Sequence, residues 1–198
     1  MQAKKLFDPD KLAHYEGTGW KAYYEHDWFK LLGLVLKICQ EQFNLPFLRS
    51  VQAGYYIARA TSIFASPTHD TATVRRFIHN YYKIARRYSN LKFDVDRVTG
   101  LELEYWYVHR RLVGKPDKTE FIESLAQLHS ALFGISLEQA RPSAEWRVLA
   151  NNTVDGITQK TSTDVQGDWL LLEDYLSRCY RSIDQEVRQA RPSGELVG

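Results

Sequence analysis

Apolar residues recur at spacings of three and four along most of the chain, and no stretch longer than four residues alternates with the period of a strand. The pattern predicts helices throughout. Asp8-Pro9 opens the first, with Asp8 as cap and Pro9 at the first helical position. Leu12, Tyr15, Trp20, Tyr23 and Tyr24 carry it forward, while Gly17 and Gly19 predict a break or kink. Asp27 caps a second helix, Trp28–Phe43, whose expected inner face is Trp28, Leu31, Leu32, Val35, Ile38, Cys39 and Phe43. A third runs over 46–65 and carries Leu48, Val51, Tyr55, Ala58 and Ile63. A fourth starts at Asp70, ends near Tyr88 and buries Val74, Phe77, Ile78, Tyr81, Ile84, Ala85 and Tyr88.

The fifth helix, over 94–112, carries the most telling pattern. Asp94 or Asp96 can cap it, and Gly114 with Pro116 stops it. Val98, Leu101, Tyr105, Val108 and Leu112 form one stripe. At roughly 100° per residue, Glu102 and His109 fall within about 60–80° of its centre, two turns apart and flanked by Trp106. Beyond it, Asp117 with Glu120 makes a capping-box pattern for a sixth helix ending near Phe133. Ser136 opens a short turn, Pro142 restarts the chain through Trp146, Leu149, Val154 and Ile157, and 161–167 reads as a loop. A last helix covers 168–190.

These elements predict an all-α, single-domain compact bundle of seven or eight helices over 1–190. Residues 1–7 read as a loose arm and 191–198 as a disordered tail.

Composition narrows the function classes. The 198 residues are 44% hydrophobic, 13% aromatic and 25% charged, enough for one domain with its own core. The net charge of +2 gives no basis for a nucleic-acid partner, and the basic side of the fourth helix, with Arg76, Lys83 and Arg87, reads as a solvated face. The longest apolar run, 31–36, is too short to cross a bilayer. The first ten residues lack the apolar run of a signal peptide. Cys39 and Cys179 stand alone, as core residues in a reducing compartment. The expectation is a cytoplasmic protein without membrane or nucleic-acid contacts.

Several catalytic signatures are missing. No His has Asp or Glu three residues before it, and HExxH is absent, so a metal could be held only by groups from separate helices, such as Glu16, Glu25 or His26 with Glu102 and His109. The GxGxxA match at Gly17 follows no strand and opens no βαβ unit. No cofactor is indicated.

A carboxylate and an imidazole beside a core stripe need partners. They supply either a structural hydrogen-bond network or a ligand site. In the ligand reading His109 is the acid/base or contact group, Glu102 orients it, and Arg59, from the apolar run GYYIARA, pairs with Glu102 or an anionic group; alternatively the Arg59 stem packs while its head reaches water. Trp106 and Arg110 complete the candidate set. The density of Tyr and Trp suits an aromatic-lined pocket for a small organic ligand, an ordinary amphipathic core, or a homodimer or partner-binding face. A metal-dependent helical-bundle enzyme is a further alternative. His129 reads as a structural core histidine.

The runs YYEHDWFKLL, RRFIHNYY and above all LELEYWYVHRR, with Glu102, Trp106, His109 and Arg110, resemble segments of an uncharacterised bacterial family of all-helical proteins of about this length. The resemblance implies a single helical domain over most of the chain and implies no activity, ligand or partner.

Overall fold

Local signals and packing together place eight helices among residues 6–190, the residues described by the computed structural model. They are α1 (Pro9–Tyr24), α2 (Trp28–Phe43), α3 (Phe47–Ala65), α4 (Thr71–Tyr88), α5 (Val95–Leu112), α6 (Thr119–Phe133), α7 (Leu137–Thr158) and α8 (Val165–Ala190). Four starts are fixed as their sequences predict. Asp8, Asp27, Asp70 and Asp94 each accept hydrogen bonds from backbone N–H groups of the first turn, satisfying donors that have no partner within the helix.

Successive helices pack as neighbours, and α8 returns to lie against both α7 and α1. This is an all-α bundle with a continuous core. Leu12, Phe43, Ile78, Phe121, Leu125 and Leu172 are among its fully buried members.

Several expectations change. The glycines of α1 do not break it. Gly17 is buried, and a Cβ there would lie 3.4 Å from Leu172 of α8, so the residue serves close approach rather than a kink. Gly54 does the same for α3, where a Cβ would lie 3.2 Å from Val35 of α2. The turn at Ser136 and the segment after Pro142 are one helix. Ser136 and Gln139 form a reciprocal capping box that starts α7, and Pro142 lies inside it. The expected capping box at Asp117 is not made. Asp117 accepts from the Thr119 N–H at 2.9 Å, while Lys118 takes the cap position without a side-chain bond.

The last helix begins at Val165, earlier than residue 168. The loose arm lies partly outside the described residues, and its last two residues are anchored. Leu6 N–H donates to Asp184 at 3.1 Å, and buried Phe7 meets Phe133 and Tyr180 edge-on. The tail at 191–198 lies outside the described residues. Finally, Trp28 and Leu32 of the expected inner face of α2 are exposed, and so are Leu48, Val51, Tyr55 and Ala58 of the apolar stripe of α3, whose buried line runs through Ser50, Ala53, Ala60 and Phe64 instead.

Candidate functional site

Helix α5 presents two chemically different sides. Glu102, Trp106 and Arg110, four residues apart, share one of them. The Glu102 carboxylate accepts from the Tyr82 hydroxyl of α4 at 2.8 Å and from the Trp106 indole N–H at 2.9 Å. Burial raises the Glu102 pKa above the usual carboxylate value, and the two donors offset only part of that. Arg110 lays its guanidinium 3.8 Å from the centre of the Phe64 ring and donates to the Phe64 carbonyl.

Beside it, His69 Nδ1 lies 2.8 Å from the Ser66 carbonyl and so must be its donor. With neutral His69, Nε2 then accepts from the Tyr107 hydroxyl at 2.8 Å, and Tyr107 in turn accepts from Thr71.

On the other side, the His109 ring stacks on Phe121 with centroids 5.0 Å apart and planes within 8°. His109 Nε2 lies 3.3 Å from both oxygens of Asp155 of α7. Burial first, and then the Asp155 charge, raise the pKa of the nearby Tyr24. This corner stays partly open to water. It joins an imidazole, a carboxylate and a phenol, groups able to hold a polar ligand or relay a proton.

The expected Glu102–His109–Arg59 constellation is therefore not assembled. Glu102 and Trp106 are joined, whereas His109 pairs with Asp155 and Arg110 with Phe64. Arg59 is exposed and makes no ion pair with another described residue. The reason is angular. On α3 the core-facing line runs through Ser50, Ala53, Ala60 and Phe64, and Arg59 falls outside it.

The polar heart of the bundle lies elsewhere, on residues for which the sequence offered only a weak signal. Arg147 of α7 donates from Nη1 and Nη2 to the two oxygens of Glu16 of α1, each at 2.6 Å. The Tyr180 hydroxyl of α8 also donates to Glu16, and the Trp20 ring lies 5.0 Å from the guanidinium. Burial alone would lower the Arg147 pKa. The charges of Glu16, Tyr180 and Tyr105 outweigh it and hold the pKa above its ordinary value. Burial drives the Tyr105 phenol up to about 12. Arg147 sits in the run AEWRVLA, an apolar setting like that of Arg59, and this was the one available clue.

His129 fulfils its structural reading. Ser143 Oγ donates to the Ala140 carbonyl at 2.7 Å, so His129 Nδ1–H donates to Ser143 at 2.8 Å. Burial lowers the His129 pKa to about 3 and keeps the ring neutral.

Among the described residues no three His, Cys, Asp or Glu side chains converge on a metal-sized space. Glu16, offered above as a metal ligand, has its oxygens occupied by Arg147 and Tyr180. Two open surface hollows lie along α1 and α8, lined by residues such as Asp10, Glu173 and Arg181. No described helix is long and apolar enough to cross a membrane.

Comparison with family models, curated proteins and solved structures finds no match. The fold and site define an all-α bundle whose interior carries a carboxylate–guanidinium–tyrosine network, and whose second and third helices turn apolar side chains to solvent.

Proposed function

We propose that this chain is an interaction module that docks a partner on the outer face of α2 and α3. The supporting observation is the exposure of Trp28, Phe29 and Leu32 on α2, with Phe47, Leu48, Val51 and Tyr55 on α3. Phe29 is 93% exposed and Leu48 78%. The other five are between 42% and 62% exposed. Together they leave on the order of 900 Å² uncovered, taking roughly 150–250 Å² for a whole aromatic side chain and somewhat less for an aliphatic one. The largest apolar patch on an ordinary monomer is about 300–600 Å².

Scattered exposed apolar residues need no explanation, but these lie on one hairpin and recur at helical spacing. Gly33 lies among them facing open space, where a Cβ would touch nothing within 4 Å. The buried network then acts as a brace. It ties α1, α7 and α8 together on charge-assisted bonds, and α1 in turn packs against α2.

The test is photocrosslinking in living cells, with p-benzoylphenylalanine placed at position 29, at position 48 and, as control, at exposed Lys160. Products of defined mass at 29 and 48 but not at 160 are expected. No product at either apolar position overturns the docking reading.

A second reading is favoured by the His109–Asp155–Tyr24 corner, a partly open polar site beside aromatic rings that suits a small organic ligand. Native mass spectrometry of gently purified protein tests it. The expected result is a co-purifying small molecule whose occupancy falls in His109→Gln, and unchanged occupancy in that variant counts against this corner.

A further inference from the structure

We infer that the occupant of the α2–α3 face is a second copy of this chain, which forms a two-fold dimer through that face. The inference rests on the docking reading and names its partner.

Three observations lead there. The first is area. The roughly 900 Å² that these seven residues expose on each copy is enough to supply most of the roughly 800 Å² that each partner contributes to a stable interface of standard size. Most of it comes from large aromatic and aliphatic side chains, as expected at an interface core.

The second is charge. The outward line of α3 runs through Leu48, Val51, Tyr55, Ala58 and Ser62, all exposed and none charged. Between residues 28 and 65 the only acid is Glu41, and the exposed bases Lys30, Lys37, Arg49 and Arg59 border the apolar residues, Lys30 next to Phe29 and Arg59 one turn from Tyr55. An acidic partner would find no cation at the centre of this face to match it. The uncharged, aromatic-rich centre of the face is met by another centre of the same kind with the basic residues left at the rim, and the chain itself supplies one.

The third is relief. A two-fold interface must be self-complementary, so projections and hollows have to occur on the same patch. Phe29 and Leu48 project at opposite ends of the hairpin, while Gly33 and Ala58 leave low ground between them.

The basic residues give the arrangement a signature. Closing two such faces brings like-charged rims together, so added salt screens a repulsion and tightens the dimer. Binding of an acidic protein or an anionic bilayer runs the other way and weakens with salt.

The experiment is sedimentation velocity on the full chain over roughly 0.1–100 μM, at low and high salt, beside the double variant F29E/L48E. Both side chains are almost wholly in water in the single copy, so the variant is expected to keep its circular-dichroism spectrum and melting temperature. The wild type is expected to sediment as a dimer whose dissociation constant falls as salt rises. The variant is expected to associate at least ~100-fold more weakly, the size of effect typical of interface hot spots. A wild type that stays monomeric throughout overturns the inference, as does a dimer that F29E/L48E leaves intact. Photocrosslinked products separate this failure from that of the docking reading. Adducts at positions 29 and 48 with a mass other than twice the chain retain the docking face and eliminate the second copy.

Discussion

Arg147 and Glu16 meet through two parallel hydrogen bonds of 2.6 Å, across 131 residues of chain. The pair fastens α7 to α1, and Tyr180 brings α8 to the same carboxylate. Fork-on-fork geometry makes this the strongest kind of charged contact a protein forms. Its mean worth against an apolar replacement is smaller, because both ions leave water to make it.

Removing one partner alone should be expensive. Arg147→Met leaves the largely buried Glu16 without its cation, and a loss of about 2–4 kcal/mol is expected in urea unfolding. The double variant Glu16→Leu with Arg147→Met should lose less than Arg147→Met alone, since no orphan charge remains. If the double variant loses the sum of the two single changes, the groups do not act as a pair.

Glu102 predicts a pH dependence of the opposite kind. Its folded pKa is raised by burial, so its protonated form is the favoured one in the fold. The stability this gives is complete below the ordinary carboxylate pKa. It fades as pH rises through the raised value, because the charge must then be held out of water. Glu102→Gln keeps an acceptor for Tyr82 or Trp106 and carries no charge. Its melting temperature should match or exceed the wild type at pH 8, with the advantage shrinking toward pH 4. A variant that is clearly less stable at pH 8 than at pH 4, relative to wild type, contradicts this assignment.

His129 acts on the acid side. Its pKa falls from 6.5 to about 3 on folding, so the unfolded chain takes up a proton that the folded one refuses. The associated stability is complete above pH 6.5 and is lost as pH falls through about 3, in total on the order of 5 kcal/mol. His129→Asn places an amide N–H near the position of Nδ1 and cannot titrate. It should be less stable at pH 7, because it leaves a void, and should show a flatter decline between pH 6.5 and 4. An acid limb as steep as that of the wild type removes His129 from the account.

Much of the fold was legible because its signals are local. Asp8, Asp27, Asp70 and Asp94 cap helices within one turn of where they stand, and the stripes of α4 and α6 need only their own period. The candidate site was less legible. Periodicity gives the angle at which Glu102 and His109 leave α5, but not what stands opposite. Glu102 found Tyr82 from twenty residues upstream, and His109 found Asp155 from forty-six downstream. Arg59 and Arg147 sit in similar apolar runs, yet one is in water and the other lies at the centre of a buried network. The periodicity of α2 puts Trp28 and Leu32 on its inner face with Leu31, Val35, Ile38, Cys39 and Phe43. In the bundle α1 and α3 cover only part of it, and Trp28, Phe29 and Leu32 are left outside.

By itself, then, the sequence determined where the helices run, how most begin, and that they close into an all-α bundle. Those outcomes depend on hydrogen bonds and side-chain spacing within a few residues. Only the tertiary structure decided that Arg147 rather than Arg59 is the buried cation, that Glu102 and His109 serve different neighbours, and that an apolar face remains uncovered. Each of these depends on which distant helix arrives alongside, and no local period along the chain encodes that.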